Sequence, residues 1–238
     1  MRIVTDTHAH TLASGHAYNT IKEMAQTAKE NGLEILALTE HAPNMPGSCH
    51  EFYFHNLRVV PRKQCGIELL LGTEANIMDE NGTLDLDSHT LKQMDIVIAS
   101  IHGPCYGASK SKEENTKAYI KAMENHYVNI IGHPDDGRFP VDYEVLAKAA
   151  KEKGVLLEVN NSSLRPGGFR QDTRKNALEM LKYCKMYETM ITLGSDAHID
   201  VDAGNFSYAL EVLKEADFPE TLIAGTSVEK LKQCLRRK

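Results

Sequence analysis

The run Ile35-Leu36-Ala37-Leu38-Thr39-Glu40-His41 decides how the chain folds. Four apolar residues stand together without polar alternation, the pattern of a strand buried on both faces of a parallel sheet. The run then turns polar and ends on a histidine. Just upstream, Thr20-Ile21-Lys22-Glu23 has the spacing of a capping box. Ile21, Met24, Ala25 and Ala28 follow at helical spacing until Asn31-Gly32 stops the helix. The local unit is therefore helix, short turn, buried strand, polar strand end.

That unit recurs along the chain. Ile3-Val4 leads into Asp6-Thr7-His8-Ala9-His10, and Ile67-Glu68-Leu69-Leu70-Leu71 into Gly72-Thr73-Glu74. Ile96-Val97-Ile98-Ala99-Ser100-Ile101 ends in His102, and Val128-Asn129-Ile130-Ile131 in Gly132-His133-Pro134. Val155-Leu156-Leu157-Glu158-Val159 ends in Asn160-Asn161, and Met190-Ile191-Thr192-Leu193 in Gly194-Ser195-Asp196-Ala197-His198. Helices are expected over about 113–126, 142–153, 173–186, 205–216 and 227–236, with irregular loops at 42–65, partly helical over 51–65, and at 103–112. Asn81-Gly82 marks a turn in a small β excursion around 76–85. The alternation predicts an α/β protein, a distorted (β/α)7 TIM-like barrel in a single domain spanning residues 1–238. An open doubly wound sheet is the alternative, but it would spread the polar strand ends along an edge. A barrel brings them to one mouth, where active sites lie.

Composition narrows the class. The net charge of −6 argues against a protein that coats nucleic acid. No run reaches the ~20 apolar residues of a membrane span, and the N-terminus lacks a charged-then-apolar signal segment. A cytoplasmic enzyme is the expectation. The five cysteines are odd in number and widely spaced, without a C-x-x-C pair, so free thiols are expected rather than a zinc ribbon or a disulfide framework.

The unusual feature is what stands at the strand ends. His8, His10 and the nearby His16, then His41, Glu74, His102, His133, Asp196 and His198, are all of metal-ligand type. The remaining histidines, His50, His55, His89 and His126, lie away from strand ends and read as structural or surface residues. Nine ligands are too many for one ion, since zinc takes about four and a catalytic zinc keeps one position open. With one bridging carboxylate they suffice for about three ions. Such sites suit phosphoryl chemistry, because metal ions clamp anionic oxygens and activate water. No G-x-S-x-G elbow, Walker loop or G-x-G-x-x-G is present, so serine-nucleophile, NTPase and dinucleotide readings lack support.

Together these motifs resemble those of the PHP (polymerase and histidinol phosphatase) superfamily. The resemblance covers about residues 3–198, and the Glu158-Val159-Asn160-Asn161-Ser162-Ser163 segment is most similar to small stand-alone YcdX-type phosphatases. It implies a trinuclear centre, usually zinc, with iron or manganese in some relatives. By the resemblance, His8, His10, Glu74 and Asp196 hold the first ion. Glu74 bridges to a second with His102 and His133, and His16, His41 and His198 hold the third. The implied activity is hydrolysis of a small phosphomonoester by a metal-bound water; no membrane partner is expected, and the acidic charge disfavours a nucleic-acid one. Histidinol-phosphate phosphatase or a PHP-type nuclease are the alternatives, and an amidohydrolase-like C–N hydrolase is a remoter one. Asp6 and Glu40 flank ligand histidines and are expected to orient imidazoles, with a proton-donor role second. Phosphate recognition calls for an arginine. Arg165 is the first choice, then Arg138 and Arg170. Asn161 is expected to face the metals, to donate to substrate, or to cap its strand.

Overall fold

The computed structural model describes residues 1–108 and 110–235. Its apolar runs form seven strands in ring order: β1 Thr5–Asp6, β2 Ile35–His41, β3 Ile67–Asn76, β4 Ile96–Ser100, β5 Ile130–Ile131, β6 Leu156–Asn160 and β7 Ile191–Gly194. Each pairs in parallel with the next in sequence. The ring closes between β1 and β7 through irregular backbone. Thr7 N–H reaches Leu193 O (3.4 Å), Asp196 N–H reaches His8 O (2.8 Å), and His10 N–H reaches Ala197 O (2.9 Å). The fold is thus a single-domain, nearly closed parallel barrel of the distorted (β/α)7 TIM-like type. A two-residue strand, Lys63–Gln64, adds antiparallel to β3. The irregular loop reading had not anticipated it.

Helices cover the outside. Ile21–Glu30 starts as its sequence predicts, with Thr20 N–H donating to the Glu23 carboxylate (2.7 Å) and Glu23 N–H to Thr20 Oγ1 (3.3 Å). Lys112–Ala122, Tyr143–Lys153, Thr173–Tyr187, Ser207–Glu215 and Val228–Leu235 complete the layer. The expected helix end at residue 236 lies outside the described residues, as does Ser109 of the 103–112 loop. That loop opens with a helical turn, Gly103–Tyr106. No helix among the described residues is long and apolar enough to cross a membrane.

Strand parity divides the apolar residues in two, because successive side chains point to opposite faces. Leu36 and Leu38 of β2, Leu69 and Leu71 of β3, and Val97 and Ala99 of β4 pack outward with helix residues such as Met24, Ala28 and Leu146. Ile35, Ala37, Leu70, Ile96, Ile98, Ile130 and Leu156 form a separate inner cluster. Ala224 and Leu231 join it and plug the lower end of the barrel. Continuing the inner parity upward gives His41 on β2, Glu74 and Asn76 on β3, Ser100 and His102 on β4, and Glu158 and Asn160 on β6. The same inward rows are therefore apolar at the base and polar at the mouth.

Leu231 is fully buried in that plug. Leu231→Ala should lower unfolding stability by about 2–5 kcal/mol in urea titrations, the usual cost of a buried leucine cavity. A loss below about 1 kcal/mol would mean that the helix does not close the barrel.

Candidate metal centre

Glu74 stands at the middle of the mouth, fully buried. Its Oε2 lies 2.7 Å from His41 Nδ1, 3.4 Å from His8 Nε2 and 3.6 Å from His10 Nε2. Its Oε1 lies 2.8 Å from His133 Nε2 and 3.2 Å from His102 Nε2. Asp196 Oδ1 is 3.3 Å from His10 Nε2, 3.7 Å from His8 Nε2 and 3.6 Å from His198 Nδ1. His16 sits further out, its ring 4.9 Å from that of His41 and 4.8 Å from that of His198. All nine strand-end residues named from the sequence thus meet at one place. His50, His55, His89 and His126 do not join them.

The imidazoles are held by their outer nitrogens. A carboxylate only accepts, so His8 Nδ1 carries the proton it shares with Glu158 Oε1 at 2.8 Å. Ser14 Oγ donates to Glu40 Oε2 (2.6 Å) and thereby accepts from His10 Nδ1 (3.0 Å). Asn76 donates to Asp85 (2.6 Å), which turns its Oδ1 toward His102 Nδ1 (2.7 Å). His198 Nδ1 donates to the Asp196 carbonyl (3.0 Å). In the His10 and His102 rings this leaves Nε2 without a proton and free to act as a ligand. Such outer partners fix tautomer and orientation in metal sites.

The charge balance points the same way. Burial pushes His10 down, the charges of His41 and His198 add to it, and the ring is held well below the usual imidazole range. Burial likewise lowers His102 and His16, so these three rings are neutral at neutral pH. Burial also pulls His8 down, but Glu158, Glu74 and Asp196 outweigh it and hold it well above. For Glu74, burial alone would raise the carboxyl, yet His102, His8 and His41 hold it well below the carboxylate range. Despite the close approaches, His41 Nδ1, Glu74 Oε2 and His102 Nε2 are buried without a hydrogen-bond partner. Buried polar atoms are normally satisfied. Lone pairs that converge without hydrogen-bond geometry are the donor set a cation would complete. Among the described residues, three triads have donor atoms mutually within 4.8 Å: His8/His10/Glu74, His10/His41/His198 and His41/Glu74/His102. The residues therefore fit metal ions.

Two of these residues reach the mouth through unusual backbone. His133 has φ +28° and Asp196 has φ +55°. His133 follows Gly132, so simple alternation would point it outward, and the turned backbone brings it in. Such left-handed conformations in non-glycine residues cost about 1–3 kcal/mol and concentrate at functional sites.

The other sequence-named residues fall differently. Asp6 touches no imidazole. Its carboxylate accepts from the backbone N–H groups of Ser195 (3.0 Å), Gly204 (2.9 Å) and His8 (3.3 Å), bracing the seam. Glu40 reaches His10 only through Ser14, and is also engaged by Thr11 Oγ1 (2.6 Å). Asn161 Oδ1 accepts from Tyr208 and Ala209 N–H (3.0 and 3.1 Å), at the start of helix Ser207–Glu215, and faces neither metals nor cleft. Its neighbour Asn160 is the one in the site, donating to Asp196 Oδ2 (3.2 Å) and Glu158 Oε2 (3.1 Å). Arg165 pairs with Asp202 at 3.0 Å on the rim, and Arg138 with Asp136. Arg170, with a side chain only 9 % exposed, reaches Asp196 Oδ2 at 3.1 Å. Glu158, Ser14 and Asn76 were not singled out in the sequence. Glu158 was findable, as an acid inside an otherwise apolar strand.

A parallel barrel whose C-terminal mouth gathers imidazoles and carboxylates defines the class of TIM-like barrel metal-site proteins. Within that class the chain belongs to the PHP family: the family pattern described as the PHP domain matches residues 6–162. It is 47 % identical over 238 residues to a protein of Thermoanaerobacter sp. (strain X514) named "probable phosphatase", covering 100 % of this chain and 96 % of that one. A relative of the same name from Clostridium novyi (strain NT) is 45 % identical, with the same coverage. Among solved structures, the chain is similar in fold to histidinol phosphate phosphatase from Lactococcus lactis subsp. lactis Il1403, determined with zinc, L-histidinol and phosphate. The TM-score is 0.60 at 20 % identity, over 90 % of this chain and 94 % of that one.

Glu158 ties His8 to the backbone of His133, whose N–H it accepts at 2.7 Å. Glu158→Gln should lower zinc affinity about 10–100-fold in chelator competition while circular dichroism is unchanged. Unchanged affinity would contradict its orienting role. Gly194 leaves room for that carboxylate, since a Cβ there would lie 2.0 Å from Glu158 Oε1. Gly194→Ala should therefore weaken zinc binding in the same assay, and retention of full affinity would show that the pair can shift without loss.

Proposed function

We propose that the chain is a metal-dependent phosphomonoesterase. The observation that carries this reading is the set of unpartnered donor atoms around Glu74. The "probable phosphatase" relatives, alike over their whole length, support it. Residues 1–238 act as one unit, since Asp196 and His198 lie beyond the matched family segment yet belong to the cluster. The centre takes about three ions, zinc first, with iron or manganese as substitutes. His8, His10, Glu74 and Asp196 would hold one, Glu74, His102 and His133 a second, and His16, His41 and His198 a third. When bound, the ions supply Lewis acidity and an activated water.

The chain's own residues do the rest. Arg170 is fixed by Asp196, Ser163 Oγ (2.9 Å) and Asn160 Oδ1 (3.3 Å), and lines the cleft over the centre. Its fork geometry matches phosphate oxygens, and its orientation is set before substrate arrives. Arg165 and Arg138 also line that cleft and guide the anion inward. Asp6 and Glu40 are engaged by buried donors and outside the cleft lining, so they position the seam and the ligands rather than move protons. The substrate is a small phosphorylated molecule, and the acidic net charge disfavours nucleic acid. A cytoplasmic setting suits the free cysteines.

Purified protein should carry about three ions by elemental analysis and hydrolyse p-nitrophenyl phosphate, with activity abolished by a chelator and restored by zinc. Glu74→Ala should lose two ions together, and Arg170→Ala should cut kcat/KM by about 100-fold. Fewer than two ions, or full activity without metal, would overturn the reading.

A further inference from the structure

Beside the centre lies a carboxylate that the proposed chemistry leaves without a task. Asp135 is fully buried, and neither of its side-chain oxygens has a hydrogen-bond partner among the described residues. A buried carboxylate without partners is costly, so a charge nearby must offset it. Burial pushes its carboxyl up to about 7, and the charge of Arg170 is the foremost influence drawing it back. The dependence is mutual. Among the carboxylates that favour the charged form of Arg170, Asp135 stands second after Asp196, ahead of Glu74 and Asp136.

The backbone holds the two residues in register. Gly137 N–H donates to Gln171 O at 2.7 Å, and Asn176 Nδ2 donates to the Asp135 carbonyl at 2.9 Å. The approach at Gly137 is so close that a Cβ there would stand 2.8 Å from Gln171 O. The loop after β5, which carries Asp135, is thereby clamped to the segment that carries Arg170. Ser163 serves both side chains. Its Oγ accepts from Arg170 Nη1 at 2.9 Å, which leaves its own proton to donate, and its hydroxyl is among the groups that draw Asp135 down.

Of these four carboxylates, three are committed elsewhere. Asp136 is paired with Arg138, and Glu74 is ringed by imidazoles. Asp196 gives Oδ2 to Arg170 but turns Oδ1 to His10, His8 and His198. A cation at the centre would draw further on Asp196, and a buried guanidinium left with part of a counter-charge is poorly held. Asp135 is the carboxylate of the four that has no other claim on it. We propose that Asp135 is a positioning residue for Arg170, supplying the buried counter-charge that keeps the guanidinium seated in the cleft for a phosphoryl group. Asp135 is not among the residues that line the cleft, so it acts through the arginine. The inference rests on the phosphomonoesterase reading for the phosphate alone, and the charge pairing stands apart from it.

The test is a double-mutant cycle between Asp135→Asn and Arg170→Ala in the full chain, loaded with zinc, at about pH 8.5, where the Asp135 carboxyl is ionised. Calorimetric titration with inorganic phosphate is the first reading. Asp135→Asn should weaken phosphate binding about ten-fold in the wild-type background, and less than about two-fold where Arg170 is already replaced by alanine. Thermal unfolding is the second reading. Asp135→Asn should lower the midpoint in the wild-type background, where it strands a buried cation. It should leave the midpoint in place or raise it beside Arg170→Ala, where it removes an unpaired buried carboxylate. A residue that only fills space would shift both backgrounds alike. Equal shifts, or phosphate affinity unmoved by Asp135→Asn, overturn the proposal. If the single variant does not fold, the double variant decides: a folded double variant is the same reversal, and an unfolded one overturns the proposal. If zinc-loaded wild-type protein binds no phosphate, the phosphomonoesterase reading fails instead, and the unfolding cycle decides the pairing of Asp135 with Arg170.

Discussion

The structure depends on one buried carboxylate. Glu74 lies at the centre of the barrel mouth, with no exposure and with imidazole nitrogens close to both of its oxygens. Removing a carboxylate from water costs several kcal/mol even after the surroundings relax, so it needs positive charge close by. Protons on the histidines cannot supply it fully, because several imidazolium rings at 4–5 Å from one another would repel. The arrangement suits divalent ions, which neutralise the carboxylates while the imidazoles stay neutral. The fixed Nδ1 partners prepare the rings for that state: Glu158 for His8, Ser14 for His10, Asn76 for His102 and the Asp196 carbonyl for His198.

The barrel's closure is part of the same arrangement. β1 and β7 meet through irregular backbone, and His8, His10, Asp196 and His198 all come from that seam. Asp6, on β1, holds it by accepting the N–H groups of Ser195 and Gly204 from the β7 side and of His8 from its own. The seam therefore converts ring closure into ligand geometry, and the left-handed Asp196 marks where a strand bends to serve the site. The apolar lower rows, closed by Leu231, give this polar mouth a rigid base.

Much of this was legible in the sequence. Buried strands read clearly because a parallel sheet makes its strands apolar on both faces, as in Ile35-Leu36-Ala37-Leu38. The nine residues that meet at the mouth were legible because metal-ligand types recur at strand ends. What escaped were pairings that only the fold creates. Glu158 and His8 are 150 residues apart, and no spacing links them. Ser14 and Asn76 are ordinary polar residues until the barrel places a ring beside each. Between Asn160 and Asn161 the choice rests on strand parity, and Asn160 keeps the inward parity of Leu156 and Glu158. The sequence reading put Arg165 ahead of Arg170, although both lie in one glycine-rich loop; burial reverses that order, because the Arg170 side chain is enclosed beside Asp196 and that of Arg165 is exposed on the rim. His133 is the converse case, an imidazole of the cluster whose parity is wrong and whose turned backbone corrects it.

The most direct measurement is anomalous diffraction at the zinc edge from crystals of the zinc-loaded protein. The account predicts three peaks at the barrel mouth, with Glu74 contacting two of them and each oxygen serving a different ion. A single peak, or several peaks of which none touches Glu74, would contradict it.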